Sequence, residues 1–157
     1  MTDDDRGAAG RLTARRMELI RDYFRKVDAG DSTLLDLYTD DVEVYFPKFG
    51  FGRGKSAMRD FAERLGADLA YLAHDIDGLR FHPAGDVIVV EGTEWGRTTD
   101  GTDWPDGEVS TGSFCNVFTF DGELISSVRI YTDPDFTSAH SSRVAALHHS
   151  GATQESR

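Results

Sequence analysis

Three long segments with strand character, Val87–Arg97, Glu108–Phe120 and Glu123–Thr132, constrain this chain more than any other feature. The dipeptide Asp121-Gly122 joins the last two, and both positions tolerate the positive φ of a two-residue hairpin turn. The usual strand has about five or six residues, so these are long. Long antiparallel strands curl, and a curled sheet with helices on one side encloses a pocket.

The elements before that sheet are read in chain order. Residues 1–11 are charged and Gly/Ala-rich and are expected to form a loose arm. Met17, Ile20, Phe24 and Val27 recur at helical spacing with Tyr23 beside them, and Gly30 fits the C′ position that ends such a helix. Asp31 or Ser32 caps a short second helix carrying Leu34, Leu35, Leu37 and Tyr38. Thr39-Asp40-Asp41 turns the chain into a strand over Val42–Phe46, which Pro47 closes. Residues 48–55 read as a Gly- and Phe-rich turn, 56–72 as a third helix and Ile76–Phe81 as a strand. Residues 137–157 are expected to be a mostly disordered tail. Helices first and a mostly antiparallel sheet after them predict an α+β domain.

The chain has 157 residues, enough for one domain with a real core. Its formal charge of −11 repels phosphate backbones and anionic lipid, so no nucleic-acid or membrane partner is expected. No apolar run approaches the roughly 20 residues needed to span a bilayer. The acidic Met1-Thr2-Asp3-Asp4-Asp5 start is unlike a signal peptide. A single cysteine, Cys115, excludes an internal disulfide framework and suits a reducing, cytoplasmic compartment.

Candidate chemistry is sparse. Gly50-Phe51-Gly52-Arg53-Gly54-Lys55-Ser56 fails as a phosphate loop, because Phe49 stands where that loop needs glycine. His74 precedes a strand, either as a general acid/base at a pocket mouth or as an ordinary surface histidine. Glu91 and Glu94 point to opposite faces of their strand, so one faces inward if the sheet is packed on one side. An inward carboxylate under an apolar roof becomes a usable acid or base. Asn116 shares a face with Phe114, Phe118 and Phe120, as a satisfied structural amide or as a donor to a ligand oxygen. His140, His148 and His149 lie in the tail, and the His148-His149 pair lacks metal-ligand spacing with any Cys or carboxylate, so no metal site is expected.

Several strings resemble the nuclear-transport-factor-two-like superfamily of cone-shaped domains. They are Tyr23-Phe24-Arg25-Lys26-Val27-Asp28-Ala29-Gly30-Asp31, Tyr38-Thr39-Asp40-Asp41-Val42 and Pro47. Gly92-Thr93-Glu94-Trp95-Gly96, Asp121-Gly122-Glu123-Leu124-Ile125 and Asp133-Pro134-Asp135-Phe136 are similar to its SnoaL-like branch, the polyketide-cyclase relatives. The resemblance covers about residues 12 to 136. It implies three helices on a strongly curved sheet, a deep apolar pocket and a homodimer.

By the same resemblance, Tyr23 stands where ketosteroid isomerase has its oxyanion tyrosine, and Asn116 where that enzyme has a protonated aspartic acid. Phe46 replaces that isomerase's general base. Glu94 matches a triad aspartate of limonene epoxide hydrolase, whereas Gly92 takes the place of the companion arginine. Ile130 replaces the second aspartate, which is also the acid/base of SnoaL-type cyclases. His74 resembles a catalytic histidine of scytalone dehydratase. The expected activity is cofactor-independent acid/base chemistry (isomerase, cyclase or dehydratase) on a hydrophobic, oxygenated small molecule such as a polyketide-like metabolite. Tyr23, His74, Glu94 and Asn116 would carry it. Phe46, Trp95, Phe114, Phe118, Ile130, Thr132 and Asp133 would bind substrate. The alternative is a non-catalytic ligand-binding or dimerisation module of the same fold.

Overall fold

The computed structural model describes residues 3–47, 49–105 and 112–132. Helix α1 (Asp3–Ala29) begins well before the expected start at about residue 12. Gly7 and Gly10 interrupt any apolar stripe there, yet a formed helix propagates at little cost because each added residue gains a backbone bond. Ile20 and Phe24 bury its inner face. Gly30, at φ +62°, ends it. The Gly30 N–H donates to Val27 O (3.1 Å) and the Asp31 N–H to Lys26 O (2.9 Å), the paired bonds of a Schellman cap. Asp31 then caps a 3-10 helix (Ser32–Leu37) by accepting from the Thr33 N–H.

Strand β1 (Tyr38–Phe46) absorbs the expected Thr39-Asp40-Asp41 turn. The predicted turn over 48–55 instead holds strand β2 (Gly50–Arg53), antiparallel to β1, before helix α2 (Gly54–Asp68). Helical spacing of Leu65, Leu69 and Leu72 had extended the third helix to residue 72. The backbone leaves it at Leu69 to form β3 (Leu69–His74) against β5 (Val87–Thr98). Ladder pairing there overrides the local periodicity. The predicted strand over Ile76–Phe81 shifts likewise. Asp75 Oδ1 accepts from the Gly78 N–H (3.1 Å) in a turn, and β4 (Arg80–Ala84) follows.

A short β6 (Asp103–Trp104), then β7 (Ser113–Asp121) and β8 (Leu124–Thr132), complete the described strands. Residues 108–111 of the predicted middle strand lie outside the described residues, as do Asp133 and the tail. The β7–β8 loop is Gly122-Glu123 rather than Asp121-Gly122, since Asp121 pairs with Leu124 and Gly122 takes φ +59°.

The sheet order is β2-β1-β8-β7-β5-β3, with β4 and β6 also paired to β5. Only β1 with β8 runs parallel among these pairs; the sheet is otherwise antiparallel. Ile88, Val90, Phe114, Phe118, Ile125 and Val128 form its inner face and bury Ile20, Tyr23 and Phe24 of α1. The three helices lie on a strongly curled sheet, an α+β cone.

Arg16 fastens α1 across two hairpins. Its guanidinium is 4% exposed, donates to Gly122 O (2.9 Å) and Gly85 O (3.3 Å), pairs with Asp86 (3.0 Å) and lies over the Phe120 ring. No helix among the described residues is long and apolar enough to cross a membrane.

Candidate active site

The cone encloses a cavity of about 620 Å³ between α1, the 3-10 helix, α2 and the sheet. Leu34, Leu35, Phe46, Met58, Phe61 and Ile130 give it carbon walls. Its polar groups include Tyr23, Asp28, Tyr38, His74, Glu94, Asn116 and Thr132, with Lys26, Asp31 and Arg59 also on the lining.

Strand alternation decides which side chains enter. Along β5, Ile88, Val90, Glu94, Gly96 and Thr98 are buried, so Glu94 faces inward at 7% exposure. The same parity sends Trp95 outward, where it is 43% exposed and does not line the cavity, contrary to its expected role. Glu91 faces out to Arg80 and His82. Phe114 and Phe118 also do not line the cavity. They pack beneath it against Phe24, and Phe118 against Tyr23 as well, because the helix fills that part of the cone. Phe46, Ile130 and Thr132 line it as expected.

His74 ends β3 directly opposite Glu94 on β5, and the ladder register brings the two side chains together. His74 Nε2 lies 3.2 Å from Glu94 Oε2. On its other side, Nδ1 lies 2.5 Å from Asp28 Oδ1, while the His74 backbone N–H donates to Asp28 Oδ2 (3.0 Å). The Thr132 hydroxyl donates to Glu94 Oε1. The His74 side chain is 5% exposed, and its ring packs on Phe24 and edge-on to Phe114. Burial alone would lower its pKa; hydrogen bonds to Asp28 and Glu94, with their charges, outweigh burial and raise it. With a carboxylate at each nitrogen, the imidazolium satisfies both by donating twice. Two acidic side chains thus flank one histidine at the inner end of the cavity.

Tyr23 is buried, and its pKa is raised, first by burial and then by the charges of Glu94 and Asp28, against a lowering contact from Tyr38. It stays a protonated donor. The Tyr38 hydroxyl, also raised by burial, interacts with Tyr23 but makes no hydrogen bond of ordinary geometry. Asn116 is 3% exposed, and its Oδ1 has no partner. A buried polar atom left in this way costs free energy unless a ligand or water meets it.

Asn116 pairs across the sheet with Ile130, and Thr132 stands two residues further along β8, beside Glu94. One two-residue stride is about 6.6 Å. That spacing suits a base at one end of a carbon–carbonyl unit and a donor at the carbonyl oxygen.

Reading the sequence alone missed Asp28, although it continues the Ile20–Phe24 stripe at the next i+4 position, where a carboxylate is out of place. Tyr38, expected in the second helix and in a family string, opens β1 instead and adds a hydroxyl to the lining. Gly92 has no room for an arginine, since even a Cβ there would come within 2.7 Å of Phe114 and 2.8 Å of Leu79. Arg97 is held by Asp103 and Arg129 lies over Phe51, so neither supplies the arginine–carboxylate pair of an epoxide hydrolase.

A cone with a buried carboxylate–imidazole cluster facing a carbon-walled cavity is a domain of the nuclear-transport-factor-two type. The chain belongs to the SnoaL-like domain family, whose profile matches residues 20–128. No curated protein matches it in sequence. Among solved structures it is similar to an NTF2-like protein from Anabaena variabilis ATCC 29413, at 19% identity and TM-score 0.63, covering 82% of this chain and 92% of that one. It is also similar to a candidate polyketide cyclase of Xanthomonas campestris pv. campestris (16%, TM-score 0.64, 85% and 97% covered). A third is TerC crystallised with polyporic acid (19%, TM-score 0.63, 83% and 98% covered). At these identities the likeness is one of fold.

Proposed function

We propose that the protein is a cofactor-independent acid/base enzyme acting on a hydrophobic, oxygenated small molecule. The observation that supports it most is the Asp28–His74–Glu94 chain, buried yet open to the cavity through Glu94. In this reading Glu94 takes a proton from the carbon next to a substrate carbonyl. The C–H electron pair becomes the enolate double bond, and the carbonyl oxygen gains the negative charge. Tyr23 and Asn116 donate to that oxygen; one such preorganised donor is worth about 2.7–4 kcal/mol in the transition state. His74, oriented by Asp28, holds Glu94 in place. If the enolate is conjugated with a C=C bond, returning the Glu94 proton to its far carbon isomerises the substrate. Handing that proton to a departing β-hydroxyl releases water and leaves a C=C bond. Attack of the enolate carbon on a second carbonyl closes a ring, the new alkoxide taking the proton.

Similarity to a candidate polyketide cyclase and to a protein crystallised with polyporic acid agrees with an oxygenated substrate. The test is solvent-deuterium exchange into a panel of aryl and alkyl ketones. Glu94→Gln should slow exchange by about a hundredfold or more; unchanged exchange in Glu94→Gln and in His74→Ala would reject the assignment. A ligand-binding module without turnover is the second reading, favoured by carbon at Phe46 and Ile130. Retention of a ketone with no exchange in the unaltered protein would select it.

A further inference from the structure

The cavity is electrically lopsided, and this bears on what enters it. Its inner end carries two carboxylates against one imidazolium. Two cations belong to the lining. Lys26 is already engaged by Asp22 (3.8 Å), Asp31 (3.6 Å) and the Thr33 hydroxyl (2.5 Å). Arg59, on the exposed side of α2, has no ion pair or hydrogen bond among the described residues. In a chain with 28 acidic residues against 17 basic ones, an arginine on a cavity rim without a carboxylate is the exception.

We infer that Arg59 is an anion-binding subsite, and that the substrate is a hydrophobic carboxylic acid whose carboxylate stays at the rim. This rests on the acid/base reading only for the term "substrate"; the subsite itself is a matter of binding. An anionic group is repelled from the Asp28–Glu94 end and attracted to Arg59, so the two ends give the ligand one orientation. The carboxylate remains half in water, where a guanidinium holds it in a planar, two-bonded arrangement. The carbon body fills the space lined by Phe46, Phe61 and Leu35 and carries the reacting carbonyl toward Glu94.

Calorimetric titration with 2-naphthylacetic acid and with its methyl ester tests the assignment in the full chain. Arg64, an exposed α2 arginine that does not line the cavity and is likewise unpaired among the described residues, provides the control. The acid should bind about fivefold more tightly than the ester, as an exposed ion pair allows. Arg59→Gln should abolish that preference, whereas Arg64→Gln should leave it intact. Added salt should weaken the acid and spare the ester. Equal affinities for acid and ester in the unaltered protein, no acid binding, an unchanged preference in Arg59→Gln, or an equal loss in Arg64→Gln would each overturn it. Glu94→Gln separates the two proposals. If deuterium exchange survives that change while the acid preference persists, the acid/base assignment falls and the Arg59 subsite stands.

Discussion

One carboxylate, that of Asp28, holds residue 74 by both its ring and its main chain: Oδ1 lies 2.5 Å from His74 Nδ1, and Oδ2 accepts from the His74 N–H at 3.0 Å. The last turn of α1 thereby fixes the end of an edge strand and the tilt of its imidazole together. Asp28→Asn keeps the shape and removes the charge. The His74 pKa should fall, as read from its ring-proton shifts by NMR, and ketone exchange should drop by about a hundredfold.

The same cluster ties stability to pH. His74 has a raised pKa in the folded protein, so the fold keeps that proton to higher pH than the unfolded chain, whose imidazole releases it near 6.5. The resulting stabilisation is complete below the unfolded value and is lost as pH rises through the folded one. Urea unfolding of the unaltered protein should therefore weaken over that window relative to His74→Gln. Parallel pH profiles for the two would contradict this.

Arg16 should matter more than its distance from the cavity suggests. Arg16→Ala strands the carbonyls of Gly85 and Gly122 and exposes one face of Phe120, so a loss of about 2–3 kcal/mol in denaturant unfolding is expected. Asp86→Asn, altering a largely exposed partner, should cost well under half as much.

Gly96 allows β3 to lie close against β5. A Cβ there would sit 2.4 Å from the Tyr71 carbonyl oxygen, a backbone atom that cannot swing aside. Gly96→Ala should push β3 outward, lower stability by about 1–3 kcal/mol and reduce exchange, because β3 carries His74. Trp95→Ala, one residue earlier and facing out, should leave ligand affinity in calorimetry unchanged.

The contrast between Gly96 and Trp95 shows what was readable beforehand. Period-two alternation along the strand says only that Glu91 and Glu94 face opposite ways; the family resemblance singles out Glu94, and the same alternation, applied one residue further, excludes Trp95 from the cavity. The Gly30 stop and the existence of the β7–β8 hairpin follow from local chemistry, whereas the β1–β2 hairpin does not. Residues 69–72 did not, because leucines spaced 65, 69 and 72 satisfy a helix until a neighbouring strand offers a ladder. Asp28 was harder still. Its meaning comes from a histidine 46 residues away, and helical spacing alone gives no reason to join them.

The parallel seam between β1 and β8 has a consequence for biosynthesis. Tyr38 meets Ile125 there, and β8 also delivers Ile130 and Thr132 to the cavity. Contacts so distant in sequence form late and slowly. During synthesis, until β8 pairs with β1 and β7, Ile130 and Thr132 are missing from the chamber wall and Glu94 lacks its Thr132 partner, so closure of the chamber waits on the last of the described strands.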